Sequence, residues 1–173
     1  MSGYSVLCHA YRKAYSDYWD YKGACSNFVN DLFDGMLGWP SEKIQYIPTL
    51  NDPDPGTLYT PWGAMDLDND GFFHLGVLLT VDPSGRHSTH VAHHVLLRLS
   101  VRKQDDTFIV KIDGFPDEFE IHEDTPKEIE AFHDSVFNRL KTLYEEGFIP
   151  TGKTKENTLG FQLPELPEEQ SSQ

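Results

Sequence analysis

Apolar residues recur along the first forty positions at the three- and four-residue intervals of helices. From Ser5 to Trp19, the residues Leu7, Ala10, Tyr11, Ala14 and Tyr18 share one stripe. Gly23-Ala24 is a small, flexible pair, and a second helix is predicted to open just after it, at Cys25. Phe28, Val29, Leu32, Phe33, Met36 and Leu37 continue the helical spacing, with a stop at Gly38 before Pro40. The period then disappears. From Pro40 to Pro61 the chain is rich in proline and aspartate, as in Asn51-Asp52-Pro53-Asp54-Pro55-Gly56. This passage reads as irregular, a long loop of the kind used as a lid or a substrate contact.

Beyond it the period changes to two. Phe73, Leu75, Val77, Leu79 and Val81 alternate with His74, Gly76, Leu78 and Thr80, and Pro83-Ser84-Gly85 marks a turn. Val91, Val95, Leu97, Leu99 and Val101 alternate with His94, Leu96, Arg98, Ser100 and Arg102. Strands at Phe108–Ile112 and around Phe119–Ile121 extend the meander. Thr125-Pro126-Lys127-Glu128 has the form of a capping box with proline at the first helical position. The helix it announces carries Ile129, Phe132, Val136, Leu140, Leu143 and Tyr144 on one face and ends at Gly147. The predicted fold is α+β: two N-terminal helices, an antiparallel sheet of about four to five strands and a long C-terminal helix. One domain is expected over residues 1–148, followed by a polar, acidic tail over 149–173 whose composition predicts disorder.

Length and composition agree with that picture: 173 residues suffice for one self-supporting core, with 38% hydrophobic and 24% charged residues. The formal net charge of −14 argues against nucleic acid or an anionic membrane as partner, since no basic stripe is present to neutralise phosphates. It permits a basic protein partner. No apolar run reaches membrane-spanning length, and the start Met1-Ser2-Gly3-Tyr4-Ser5-Val6-Leu7 lacks the charged lead and long apolar stretch of a secretory signal. A cytoplasmic product is expected, exported, if at all, by a dedicated secretion system. The two cysteines, Cys8 and Cys25, read as reduced thiols.

Cys25 is the sharpest chemical candidate. A thiol in the first turn of a helix faces unpaired backbone N–H groups and the positive end of the helix dipole, and both favour the nucleophilic thiolate. Such a nucleophile needs a base, and the base needs a third group to orient it. Cys25-Ser26-Asn27-Phe28-Val29, followed by His74-Leu75-Gly76-Val77 at the start of a buried strand, resembles the NlpC-type cell-wall amidohydrolases and related papain-like amidases. The resemblance covers roughly residues 20–95. It implies Cys25 as nucleophile, His74 as base and His87 as the orienting residue, with the Cys25 backbone N–H and the Tyr21 hydroxyl contributing to an oxyanion hole. It also implies an acyl-enzyme route to amide cleavage, with peptidoglycan peptides among the substrates it suggests, and no cofactor. The competing reading of Cys25 is a small core residue on an amphipathic helix.

The group His87-Ser88-Thr89-His90-Val91-Ala92-His93-His94 supplies His90 as a reserve base. His90 and His94 are expected on one face of a strand, with His93 on the other beside Val95. Residues at such spacing on one strand lie too far apart to chelate a metal alone, although His74 could join them from the neighbouring strand; plain sheet histidines are the preferred reading, and no metal is assigned. Asp66-Leu67-Asp68-Asn69-Asp70-Gly71 matches half of a calcium loop but reads better as a hairpin turn. The phosphate-loop letters of Gly147–Thr154 follow a helix instead of a strand and are set aside. Two functions remain. One is a cysteine amidase or peptidase acting on a peptide or peptidoglycan-like substrate. The other is a non-catalytic acidic binding protein, such as an inhibitor, immunity factor or secretion chaperone, and it predicts a buried Cys25 with no histidine beside it.

Overall fold

The computed structural model describes residues 2–82 and 92–146. Helix α1 runs from Gly3 to Phe33 without a break, capped by the Ser2 side chain, which accepts a hydrogen bond from the Ser5 N–H at 3.3 Å. One helix therefore stands where the sequence predicted two. Gly23 is tolerated inside it because a helical glycine costs only about 1 kcal/mol relative to alanine, and here the bare position receives a neighbour. A Cβ at Gly23 would lie 3.7 Å from the ring of Trp62, which stacks on Trp19 with centroids 5.2 Å apart. The glycine that looked like a helix break is a landing place for an indole. The helix ends before Gly35, whose positive φ of 63° suits a residue without a side chain. A single 3-10 turn, Met36–Gly38, follows.

A second 3-10 turn at Ser41–Lys43 leads into β1 (Ile44–Ile47), a strand inside the stretch expected to be irregular. After a short helix α2 (Pro61–Ala64) come β2 (Asp66–Leu67), β3 (Phe73–Val81), β4 (His93–Gln104), β5 (Thr107–Ile112) and β6 (Phe119–His122). The final element is α3 (Pro126–Glu145). The sheet has six antiparallel strands in the order β1-β3-β4-β5-β6, with β2 also paired to β3. The α+β class and the long C-terminal helix are as expected, and the sheet is larger by the strands β1 and β2.

Strand alternation gives the sheet a dry face and an open one. Phe73, Leu75, Val77 and Leu79 of β3 and Val95, Leu97, Leu99 and Val101 of β4 are buried on the first. Both long helices cover that face. Phe28 of α1 stacks on Phe108 of β5 with centroids 3.9 Å apart, and Phe132 of α3 meets Phe33 of α1 and Phe119 of β6 edge-on. His133 of α3 reaches the Leu32 carbonyl oxygen at 2.6 Å, satisfying one of the acceptors that the end of α1 leaves free. On the open face stand His74, Thr80, His94, Arg98 and Arg102, all half-buried.

The capping box of α3 is not made. Pro126 takes the first helical position as predicted, but Thr125 makes no side-chain cap. Glu128 turns instead to β6, accepting from the His122 N–H at 2.6 Å and lying 3.1 Å from its ring nitrogen. Phe132, Val136 and Leu140 form the buried face of α3. The predicted tail, 149–173, lies outside the described residues, as do Gly147 and the letters of the phosphate-loop match.

Candidate functional site

Cys25 lies deep in α1, six turns beyond its first residue, and is fully buried. Every backbone N–H at that depth is used by the helix itself, so the positive helix end invoked for the thiolate is absent. Burial pushes the thiol up to about 11, and the Lys103 backbone N–H and ammonium offset only part of this. At neutral pH the sulfur is a protonated core group. Tyr21, one turn earlier, lies on the same side of the helix, and its hydroxyl accepts a hydrogen bond from the Lys103 N–H at 3.2 Å. The hydroxyl expected to donate to an oxyanion thus serves as an acceptor for the end of β4.

His74 sits on the other side of the sheet. Phe73 points toward α1, where its ring meets Tyr18 and Tyr21, so the next residue must project from the opposite face. There His74 Nε2 lies 2.9 Å from Asp70 Oδ2, and Nδ1 lies 3.0 Å from Ser100 Oγ. Cys25 and His74 are therefore separated by the sheet, and no nucleophile–base pair forms between them. His87 and the reserve base His90 lie outside the described residues. His93 faces the dry side as expected, with Nδ1 2.6 Å from the Tyr144 hydroxyl. His94 faces the open side, where Nδ1 lies 3.0 Å from Thr80 Oγ1.

The partners of His74 escaped the sequence reading. Asp70 belongs to the hairpin turn between β2 and β3, and its other oxygen accepts from the Phe72 N–H at 2.9 Å. Ser100 lies directly across the ladder from His74. The order Ser100, His74, Asp70 has the composition of a hydrolase triad but not its setting. Ser100 is buried in a central strand, with its backbone committed to the ladder and no spare N–H group to receive an oxyanion. A protonated Nε2 donating to Asp70, with the Ser100 hydroxyl donating to Nδ1, satisfies the whole chain. Ligand atoms of Asp68, Asp70 and His74 also lie within 4.8 Å of one another, so these three could hold a metal. The hydrogen bonds just described meet the needs of His74 and Asp70 without one. The half calcium motif is the hairpin turn it was expected to be, closed by Gly71 N–H to the Asp68 carbonyl at 3.1 Å.

The strongest surface feature is acidic. The chain from Asp105 to Asp134 is rich in carboxylates, with Lys111 and Lys127 its basic residues. The fold gathers the first part into a corner, where the turn Asp105-Asp106 lies against the turn Glu123-Asp124, joined by Glu123 N–H to the Asp106 carbonyl at 3.0 Å. Asp105 and Asp124 both take left-handed backbone angles, φ 55° and 59°, which aspartate tolerates better than most residues. Beside them a cavity of about 170 Å³ is lined by Gln104, Asp105, Asp106, Thr107, Ile109 and Glu120. Lys103 pairs with Glu123 and leaves the other carboxylates of the corner exposed.

Comparison with known proteins returns no match to any family model, curated protein or solved structure. No helix among the described residues is long and apolar enough to cross a membrane.

Proposed function

We propose that this protein is a non-catalytic binding protein that engages a basic protein partner through its acidic corner, in the manner of an inhibitor, immunity factor or secretion chaperone. The observation that carries this reading is the burial of Cys25. The sulfur is fully buried, the proposed base His74 stands on the opposite face of the sheet, and the thiol proton is held more tightly than that of a free thiol. An amidase working through Cys25 and His74 requires the opposite of each. Support for the binding surface comes from the two acidic turns at the β6 edge of the sheet. Charge of one sign, concentrated at an edge, speeds encounter with a partner of opposite sign and selects against like-charged ones.

The test is binding to a panel of lysine- and arginine-rich peptides, measured at low and moderate salt with three proteins: wild type, Asp105→Asn/Asp106→Asn/Glu120→Gln, and Cys25→Ala. The reading expects salt-sensitive binding that the triple neutralisation abolishes and that folded Cys25→Ala retains. Binding indifferent to the three neutralisations would overturn it, as would no binding to any basic peptide.

A further inference from the structure

Among the described residues, the first half of α1 has no tertiary cover. A 31-residue helix is about 46 Å long, whereas the nine residues of β3 span about 30 Å. Contact with the body begins at Tyr18, whose ring meets Phe73 of β3, and ends at Phe33, whose ring meets Phe132 of α3. Gly3–Asp17 therefore extends beyond the body, with Tyr4 79%, Leu7 70%, Tyr11 68% and Tyr15 53% exposed.

These exposed positions are in phase with the core. Tyr4, Tyr11, Tyr18, Cys25 and Leu32 recur at seven-residue intervals, as do Leu7, Ala14, Tyr21 and Phe28. Together they make one stripe with the alternating three- and four-residue spacing of a coiled-coil seam. Cys25, Phe28 and Leu32 are buried by the sheet, and Tyr18 and Tyr21 are half-buried against it. Toward the N-terminus the same stripe continues for two further heptads with none of the other described elements against it. Free-standing helices of about 15 residues are marginal in water. This one is stiffened along its length by the ring contacts Tyr11–Tyr15 and Tyr15–Trp19, with centroids 6.0 and 5.6 Å apart.

We infer that the overhanging half of α1 pairs with the same segment of a second copy of this chain, stripe against stripe, giving a two-fold symmetric dimer. Three observations select that occupant. The spacing is that of a helix–helix seam, and a two-fold axis makes such a stripe self-complementary. The charge pattern permits close approach. Gly3–Ser16 contains no acidic residue and carries Arg12 and Lys13, in a chain of net charge −14; elsewhere two copies would repel. Cys8, Ala10 and Tyr15, which flank the seam, are uncharged. The area is also sufficient. A buried aromatic side chain removes about 150–250 Å² from water, so three largely exposed tyrosines and Leu7 from each copy bring the total near the ~1,000 Å² that a specific interface needs. That places the dimer at the weak end, near the micromolar range.

Sedimentation velocity of the full chain from about 1 to 200 μM tests this, with Leu7→Glu/Tyr11→Glu as the disruptive variant and His9→Glu/Ser16→Glu as the control. The control alters positions facing away from the seam by the same number of charges. All altered side chains except Tyr11 and Leu7 leave the stripe intact, and unchanged thermal unfolding of the sheet body verifies folding. Wild type and control are expected to show concentration-dependent dimers, and the seam variant a dissociation constant raised at least a hundredfold. A monomeric wild type at 200 μM would overturn the inference, including the case in which the stripe binds lipid vesicles instead. So would a dimer that survives the seam variant or is lost equally in the control. None of these outcomes bears on peptide binding by the acidic corner, so the two proposals stand or fall separately.

Discussion

Gly76 lies where β1, β3 and β4 converge on the open face, and replacing it with alanine should destabilise the protein. An added Cβ would lie 2.8 Å from Ile47 Cγ1, 2.8 Å from Leu96 Cδ1 and 3.1 Å from Thr49 Cγ2, whereas comfortable carbon–carbon contact is about 3.5–4.0 Å. The Leu96 methyl can turn aside, but Ile47 Cγ1 is near a backbone fixed by pairing to Gly76 itself. Overpacking of this kind costs about 1–3 kcal/mol. The alanine also restricts the unfolded chain, which returns about 0.4–1 kcal/mol. The expected net loss is about 1–2 kcal/mol, or a Tm lower by roughly 2–8 °C for a chain of this length. Thermal and urea unfolding followed by circular dichroism would measure it, with an unchanged urea m-value showing that the unfolded state is not the cause. In a Leu96→Ala background the penalty of Gly76→Ala should shrink, because one of the three clashing atoms is gone. A Gly76→Ala variant as stable as wild type, or a penalty that ignores Leu96→Ala, would refute the packing argument.

Three other outcomes follow from the same geometry. The Cys25 proton is held up to about 11 in the fold against 9.0 in the open, so its stabilising contribution is complete below pH 9 and is lost as pH rises toward 11. About 1 kcal/mol of the stability lost between pH 9 and 10 should vanish in Cys25→Ala, and identical slopes in urea titrations would contradict this. Burial, and secondarily the neighbouring His94, holds His93 below 6.5. The unfolded chain then binds the proton first, so stability present above pH 6.5 declines as pH falls below it; His93→Gln should flatten that acid-side decline, and an unaltered slope would count against it. Phe108→Ala removes the ring stacked on Phe28 and should cost about 3–5 kcal/mol, read as a lower urea midpoint; a cost below about 1 kcal/mol would mean the stack is not part of the core.

The elements with a clean period were legible in the sequence. Alternation in β3 and β4 assigned Leu75, Val95 and His93 to the dry face and His74 and Arg98 to the open one, and the apolar face of α3 was read correctly from Phe132 to Leu140. Two kinds of information were not legible. The first is whether a glycine ends a helix, because Gly23 is held inside α1 by the indole of Trp62, far along the chain, and no local signal marks that contact. Placing the helix start at Cys25 followed from that misreading, and the activated thiol followed from the misplaced start. The second is cross-strand register, which sets Ser100 opposite His74 and draws Ile44–Ile47, inside a proline- and aspartate-rich stretch, onto the edge of β3. The Glu128 carboxylate likewise chose a neighbouring strand over the local cap that its spacing suggested.

The central claim is that Cys25 is a structural thiol, and its alkylation tests that most directly. Iodoacetamide labelling mapped by mass spectrometry would follow Cys8 and Cys25 separately from pH 6 to 9, in wild type and in His74→Ala. Half-buried Cys8 should react in the folded protein, while Cys25 should stay unlabelled until urea unfolds the chain, with no change on loss of His74. Rapid labelling of Cys25 in the folded protein below pH 8, slowed by His74→Ala, would contradict the account and restore the amidase.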